Sequence, residues 1–401
     1  MGVLGVVVFV VALLGSIALH ELGHLVTAKK FGMKASRYFI GMGPTVWSRW
    51  RGETEYGFKA FPIGGFVKIV GMTQLEDLED PRDEPRAFWR QPAPQRAVVL
   101  AAGSFMHFVV AIVVMYGALV WFGEPTIDTT RINLVSECLE PDRENGCAGR
   151  PPAPAQAAGV REGDVVVAFE GREVDDWQTD FTPLVQAHGA GPAELVVLRD
   201  GQRVTLNVDV AEVAETDTNN QPTGRTIGRI GLFPGEMVQY GPVAAIGRSG
   251  GLVWELTTGS MSALAKLPGE IPKLFESTVS DDERTISDGG AVGVWDLGRF
   301  SAQAFEAGDF LSVLSMIAAL NVFVGLFNLL PLLPLDGGHL AILGFEQART
   351  GVYRLFGRAD PGRVDLRKLM PAMVAFIVVM GSVALMLIYA GIANPIDDPF
   401  K

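Results

Sequence analysis

Residues 1–28 read MGVLGVVVFVVALLGSIALHELGHLVTA, and Glu21 is their single formally charged side chain. A helix of that length, rising about 1.5 Å per residue, crosses roughly 30 Å of hydrocarbon. A cleavable signal would need a basic start and a small-residue cleavage site, whereas the first basic residue, Lys29, follows the apolar run. The segment therefore reads as a membrane span carrying His20, Glu21 and His24 near its end. Outward from it, three further stretches have the same length and apolarity: Ala97 to Phe122, Leu311 to Leu335 and Leu369 to Ala393. Four spans in 401 residues, 48% of them hydrophobic, exclude an ordinary soluble enzyme.

Charge orients the spans. The loop Lys29 to Arg96 carries 12 Lys/Arg, and Ala341 to Lys368 carries 6 against 3 acids. Gly123 to Phe310 instead holds 14 Lys/Arg against 30 Asp/Glu. Excess Lys/Arg in short loops marks the cytoplasmic face, which puts both basic loops inside and the acidic segment and both termini outside. The net charge of −12 supplies no basic surface for phosphate, so no nucleic acid partner is expected. The chain's two cysteines, Cys138 and Cys147, fall in the outer segment, where a disulfide and two free thiols both remain open.

The expected division is a transmembrane helix at 1–28, a cytoplasmic loop at 29–96, a second helix at 97–122 and a β-rich outer domain at 123–235. A juxtamembrane, interfacial segment at 236–310 follows. The third helix spans 311–340, a cytoplasmic loop 341–368, the fourth helix 369–393 and an outer tail 394–401. Within the outer domain, Asp164 to Gly171 (DVVVAFEG) reads as a strand, and Ala193 to Val210 as two strands around an Asp200-Gly201 turn. The acidic stretch Ser280 to Gly290 reads as a solvated loop.

His20-Glu21-Leu22-Gly23-His24 is an H-E-x-x-H motif, whose four-residue spacing sets both imidazoles on one helical face to grip one Zn²⁺. Glu21, in the same turn, is placed to take a proton from a metal-activated water. A hydrogen-bonded His pair is the bland alternative. Burying three ionisable groups in a membrane span without a partner costs several kcal/mol, which favours the metal. A catalytic zinc wants a third protein ligand and an open fourth position. The third span should supply that ligand: Asn328-Leu-Leu-Pro-Leu-Leu-Pro-Leu-Asp336-Gly-Gly-His339 has two helix-breaking prolines, and Asp336 is the acid in that apolar stretch.

HELGH in the first span together with N-x-x-P…L-D-G-G-H near the end resembles the site-2 protease family of intramembrane zinc metalloproteases, over nearly the whole chain. The resemblance implies that His20, His24 and Asp336 bind one Zn²⁺ per chain, that Glu21 is the general base, and that Asn328 engages substrate. Gly41-Met-Gly-Pro44 and Pro62-Ile-Gly-Gly-Phe-Val-Lys68 are similar to the family's cytoplasmic β-hairpin, which places Gly64 and Gly65 in substrate binding. Glycines that merely close surface turns are the plainer reading. Gly159 to Trp177, GVREGDVVVAFEGREVDDW, resembles a PDZ domain, whose groove captures extended peptides by strand addition. The fold class is thus an α-helical polytopic membrane protein of four transmembrane helices with an inserted, β-rich, PDZ-like extracytoplasmic domain and a cytoplasmic β-hairpin.

What the resemblance implies in function is an intramembrane zinc endopeptidase of the plasma (inner) membrane. It would cut the transmembrane segment of a single-pass protein, such as an anti-sigma factor pre-trimmed by an upstream site-1-type protease, with the lipid bilayer as solvent and the PDZ-like domain as a gate. Where the family commonly shows Gly-Pro-x-x-Asn, this chain has Gly103-Ser-Phe-Met-His107, and metal contact by His107 or His339 stays open. Leu333 likewise stands where the family motif has its second proline, with the Asn328 to Asp336 spacing kept. A metal transporter is the first rival, disfavoured by the absence of internal repeats. An inactive scaffold is the second, disfavoured because it has no need of a buried base at Glu21.

Overall fold

The computed structural model of the chain describes residues 2–72, 78, 80–139, 147–216, 222–279 and 292–396, so the Ser280 to Gly290 loop and most of the tail lie outside the described residues. In chain order these form α1 (Gly2–Lys30), β1 (Ala35–Arg51), β2 (Thr54–Ile69), α2 (Ala93–Trp121), β3 (Glu124–Thr126), β4 (Ile132–Val135) and α3 (Pro154–Ala157). Then come β5 (Val165–Phe169), β6 (Arg172–Glu173), α4 (Thr182–His188), β7 (Gly191–Arg199), β8 (Gln202–Thr216), β9 (Pro222–Arg229), β10 (Leu232–Pro234) and β11 (Glu236–Val238). The chain continues through α5 (Pro242–Val279), α6 (Val294–Ala307), α7 (Phe310–Asn328), α8 (Asp336–Leu355) and α9 (Met370–Ala393). Two compact units result, Met1–Ala118 with Pro242–Lys401, and Leu119–Gly241.

Among the described residues, four helical segments are long and apolar enough to cross a membrane: Gly2–Lys30, Ala93–Trp121, Phe310–Asn328 and Leu366–Ala393. The third apolar stretch of the sequence is not one helix. α7 stops at Asn328, Leu329–Leu335 is irregular, and a new helix, α8, starts at Asp336. The prolines at 331 and 334 cannot donate to a helical ladder, which is the local cause.

In the helical unit, α5 covers the semi-apolar stretch after residue 241. Its Val253 packs among Ala111 and Met115 of α2 and Ala318 and Val322 of α7, while the adjacent Trp254 is exposed. One apolar face covered by protein explains the mixed composition. α6 lies along the start of α1, where Ser301 Oγ donates to the Gly5 carbonyl at 3.0 Å.

β1 and β2 form more than a simple hairpin. Residues 37–40 lie against 65–68 and also against 55–58, so two bent runs give a sheet several strands wide. The bends fall at Gly41, Gly43 and Gly64, all with positive φ, a conformation that L side chains resist.

The second unit is built on a five-stranded sheet in the order β6-β5-β7-β8-β9, with β7 and β8 turning at Asp200 and Gly201, both at positive φ as a tight hairpin turn requires. Val166, Phe169, Leu195, Val197 and Val208 supply its core with Trp177 and Phe181. β9 pairs with β8 alone among the described strands, and α4 lies beside it, closest at Gly228, where a Cβ would come 2.2 Å from the Val185 carbonyl. Between them runs a groove of about 300 Å³ lined by Trp177, Phe181 and Val185 on one side and Ile227, Ile230 and Leu232 on the other. Cys138 and Cys147 are joined in a disulfide.

Asp164 is buried just before β5. Burial pushes its carboxyl up, but hydrogen bonds from Arg199 (Nε at 2.9 Å and Nη2 at 2.7 Å) and the Arg161 N–H at 2.9 Å outweigh that and hold it below the usual carboxylate range. A depressed folded value contributes stability that is whole above the unfolded value of about 4 and is lost as pH falls through the folded one. Hydrogen exchange of β5 and β7 in the intact protein should therefore accelerate as pH drops below about 4, after correction for intrinsic rates. Arg199→Gln should bring the same acceleration at neutral pH, costing on the order of 3 kcal/mol because it strands a buried charge.

Candidate metal centre

α1 runs unbroken past its motif, so His20 and His24 stack on one face, both buried. His24 Nδ1 lies 2.7 Å from the Val99 carbonyl oxygen. A carbonyl only accepts, so Nδ1 carries the hydrogen and Nε2 keeps its lone pair. That Nε2 lies 3.2 Å from His20 Nε2, and Asp336 Oδ2 stands 3.3 Å from each. Although buried and this close to two imidazoles, Asp336 Oδ2 makes no directed hydrogen bond.

Three donor atoms at 3.2 to 3.3 Å describe one face of a tetrahedron. Zinc with bonds of about 2.0–2.1 Å spaces its tetrahedral ligands about 3.3 Å apart. Lone pairs and a carboxylate oxygen facing each other in a buried site repel unless a cation lies between them. Among the described residues, His20, His24 and Asp336 are the group whose donor atoms all lie within 4.8 Å of one another. The set fits Zn²⁺ with a fourth position open.

Glycines let the backbone close around the donors. A Cβ at Gly103 of α2 would lie 2.3 Å from His24 Nε2 and 2.7 Å from His20 Nε2. Cβ atoms at Gly337 and Gly338 would lie 2.2 Å from the Leu329 carbonyl oxygen and 2.6 Å from the Leu332 carbonyl carbon. The start of α8 is thereby seated on the 329–333 connection, which fixes Asp336.

Glu21 is half-buried in the same turn of α1, with the Val67 backbone N–H among the groups that act on its carboxylate. β2 runs beside Glu21, and a Cβ at Gly65 would lie 3.2 Å from Glu21 Cγ. Gly64 sits at the bend just before it. Asn328 is the last residue of α7, half-buried, at the head of the connection leading to Asp336.

His107 lies one turn beyond Gly103, its ring centroid 5.1 Å from that of His20. Asn321 Nδ2 donates to the Ile317 carbonyl at 2.8 Å, which turns its oxygen toward His107 Nδ1 at 2.9 Å, so that Nδ1 donates. Neither His107 nor His339 belongs to the donor group. Sequence reasoning passed over Asn321 and the packing role of Gly103. A polar amide in the middle of an apolar span was the available signal for the first, since such groups rarely lie there without a partner.

The model of peptidase family M50 matches residues 8–355. This chain belongs to that family. It is 36% identical to zinc metalloprotease Rip1 of Mycobacterium tuberculosis over 408 residues, covering 99% of each chain. Rip1 of Mycolicibacterium smegmatis is 34% identical with 98% of each covered, and protease RseP of Yersinia pestis is 24% identical over 86% of this chain and 90% of its own. The chain is a zinc metalloendopeptidase of the site-2 protease type.

Gly103→Ala should empty the centre without unfolding the helices. Zinc per chain, read by atomic emission, is expected well below one while circular dichroism keeps its helical signal. Full zinc in that variant would mean that α2 can step back and that the close approach is dispensable.

Proposed function

We propose that this M50 peptidase hydrolyses a peptide bond within or beside the transmembrane segment of a single-pass protein, with His20, His24 and Asp336 holding the zinc and Glu21 as general base. The observation that carries the reading is the triangle of donor atoms with Glu21 in the same helical turn and the Gly64-Gly65 strand alongside it. Bound there, zinc would lower the pKa of a water to about 7 and polarise a carbonyl. Glu21 takes the proton released on attack and returns it to the departing amine.

A helical substrate hides its peptide bonds in its own ladder and must be extended before attack. The residues around Gly64 and Gly65 offer strand backbone next to Glu21, and the lack of a side chain at Gly65 lets that strand pack close against Glu21 and Ile17. Asn328, at the broken end of α7, is assigned to holding the substrate backbone, since irregular chain at membrane depth belongs where it lines a cavity.

The 29–96 and 341–368 segments are placed in the cytoplasm of a bacterial inner membrane, with the Leu119–Gly241 unit outside. That unit is read as a PDZ-like gate: the edge of β9 and α4 flank an apolar groove, the kind of place where strand addition captures an extended peptide. A folded gate admits a substrate only after another protease has removed its bulky ectodomain. Anti-sigma factors, whose destruction releases a transcription factor, are the proposed substrate class.

Glu21→Gln separates this reading from its rivals. The variant should keep about one zinc per chain and lose cleavage of a reconstituted single-pass substrate by roughly 10²–10⁴-fold. Chelation of the wild type should abolish cleavage, and added zinc should restore it. Undiminished cleavage by the variant would remove Glu21 from the mechanism.

A further inference from the structure

The end of α1 faces a cleft of about 810 Å³ that the protease reading does not use. Its floor is Leu22, Leu25 and Val26, and residues 47–52 of β1 with the following turn form its wall. Trp47 and Trp50 stand in that wall with half or more of their surface exposed, at 52% and 61%. Three cations border it: Lys29, Arg49 and Arg51.

Among the described residues, the cations are not balanced by ion pairs within the protein. Lys29 Nζ donates to Tyr56 Oη at 3.0 Å, a neutral partner. The nearby carboxylates serve other residues, since Glu53 takes a two-point bond from Arg86 at 2.6 and 2.7 Å and Glu55 faces Arg37 at 3.6 Å. Among the described residues, no carboxylate pairs with Arg49 or Arg51. The result is an open, aromatic and apolar cleft with a surplus of positive charge at one end.

Its level along α1 identifies the ligand. The apolar run of α1 ends at Ala28, so Leu22 to Val26 lie within hydrocarbon and Lys29 at its boundary. Tryptophan, lysine and arginine side by side at that level are the groups that meet lipid headgroups. A ligand that is apolar below the boundary and anionic at it is a phospholipid.

We propose that this cleft binds one anionic phospholipid, its phosphate held by Lys29, Arg49 and Arg51 and an acyl chain lying along Leu22 and Val26. At 100° per residue, Leu22, Val26 and Lys29 fall on the side of α1 opposite His20 and His24. The lipid therefore leaves the metal face free and ties the end of α1 to the sheet that carries Gly65. The site rests on the four apolar helices and not on the proteolytic reading.

The full-length protein, delipidated in neutral detergent, would be offered phosphatidylglycerol or phosphatidylcholine and analysed by native mass spectrometry. Retention of one phosphatidylglycerol and no phosphatidylcholine is expected. Arg49→Gln with Arg51→Gln should weaken retention by roughly thirtyfold, about fivefold per cation near a membrane surface. Arg354→Gln with Arg358→Gln, which removes equal charge from exposed positions, should not. Equal loss in both variants, or equal retention of both lipids, would overturn the site. In the wild type, phosphatidylglycerol with a photoreactive acyl chain should label Leu22 to Val26, and labelling confined to other segments would overturn it without recourse to any variant. If the Arg49/Arg51 variant kept its lipid but cleaved substrate poorly in phosphatidylcholine bilayers, the cleft would belong to the substrate peptide instead.

Discussion

Two imidazole nitrogens and a carboxylate oxygen held 3.2 to 3.3 Å apart in a buried site form a donor set that one zinc ion fits. Much of the membrane unit can be understood as what is needed to hold it. α1 supplies two donors by helical periodicity alone. The third must come from a distant segment, and it arrives only because the chain at Leu329–Leu335 leaves helix geometry and lets α8 begin on Asp336. α2 contributes no ligand, yet its Val99 carbonyl sets the His24 tautomer and its Gly103 leaves the space the ring nitrogens occupy.

The parts of this arrangement set by short-range rules were legible in the sequence. Four helices long and apolar enough to span a membrane follow from hydropathy, because every backbone group in lipid must bond within its own segment. The HELGH spacing and the single acid in a proline-broken apolar stretch pointed to the three donors that the fold brings together. The Asp200-Gly201 hairpin followed from turn chemistry, and both residues adopt the positive φ it demands.

What escaped depends on tertiary approach. Gly103 and Gly23 look like ordinary small residues in apolar helices, yet a Cβ at Gly23 would lie 2.5 Å from the Ala102 carbonyl oxygen. Neither hydropathy nor spacing carries that information. The widened sheet of β1 and β2 escaped for a similar reason: its doubled register arises from bends at single glycines, whereas alternation along the chain shows only two strands. α6 is too short and too mixed to register as a span, and it closes on Gly5 through Ser301, Ala302 and Phe305.

Apolar helices gain little from hydrophobic association inside a bilayer, where the surrounding chains are as apolar as leucine. Van der Waals closeness and a few buried polar bonds must then set the distances between segments. This chain uses both at the centre: Gly23 against Ala102, Gly103 against the two imidazoles, Gly325 against His107, and the His107–Asn321 bond between α2 and α7. The bond also carries chemical information. With Asn321 oriented by the Ile317 carbonyl, His107 donates through Nδ1 and retains an unprotonated Nε2 beside the His20 ring. A side chain that cross-links two helices is in this way also held in one tautomer beside the metal centre, and an asparagine at that position, as the family pattern commonly has, would make the cross-link without supplying the extra imidazole nitrogen.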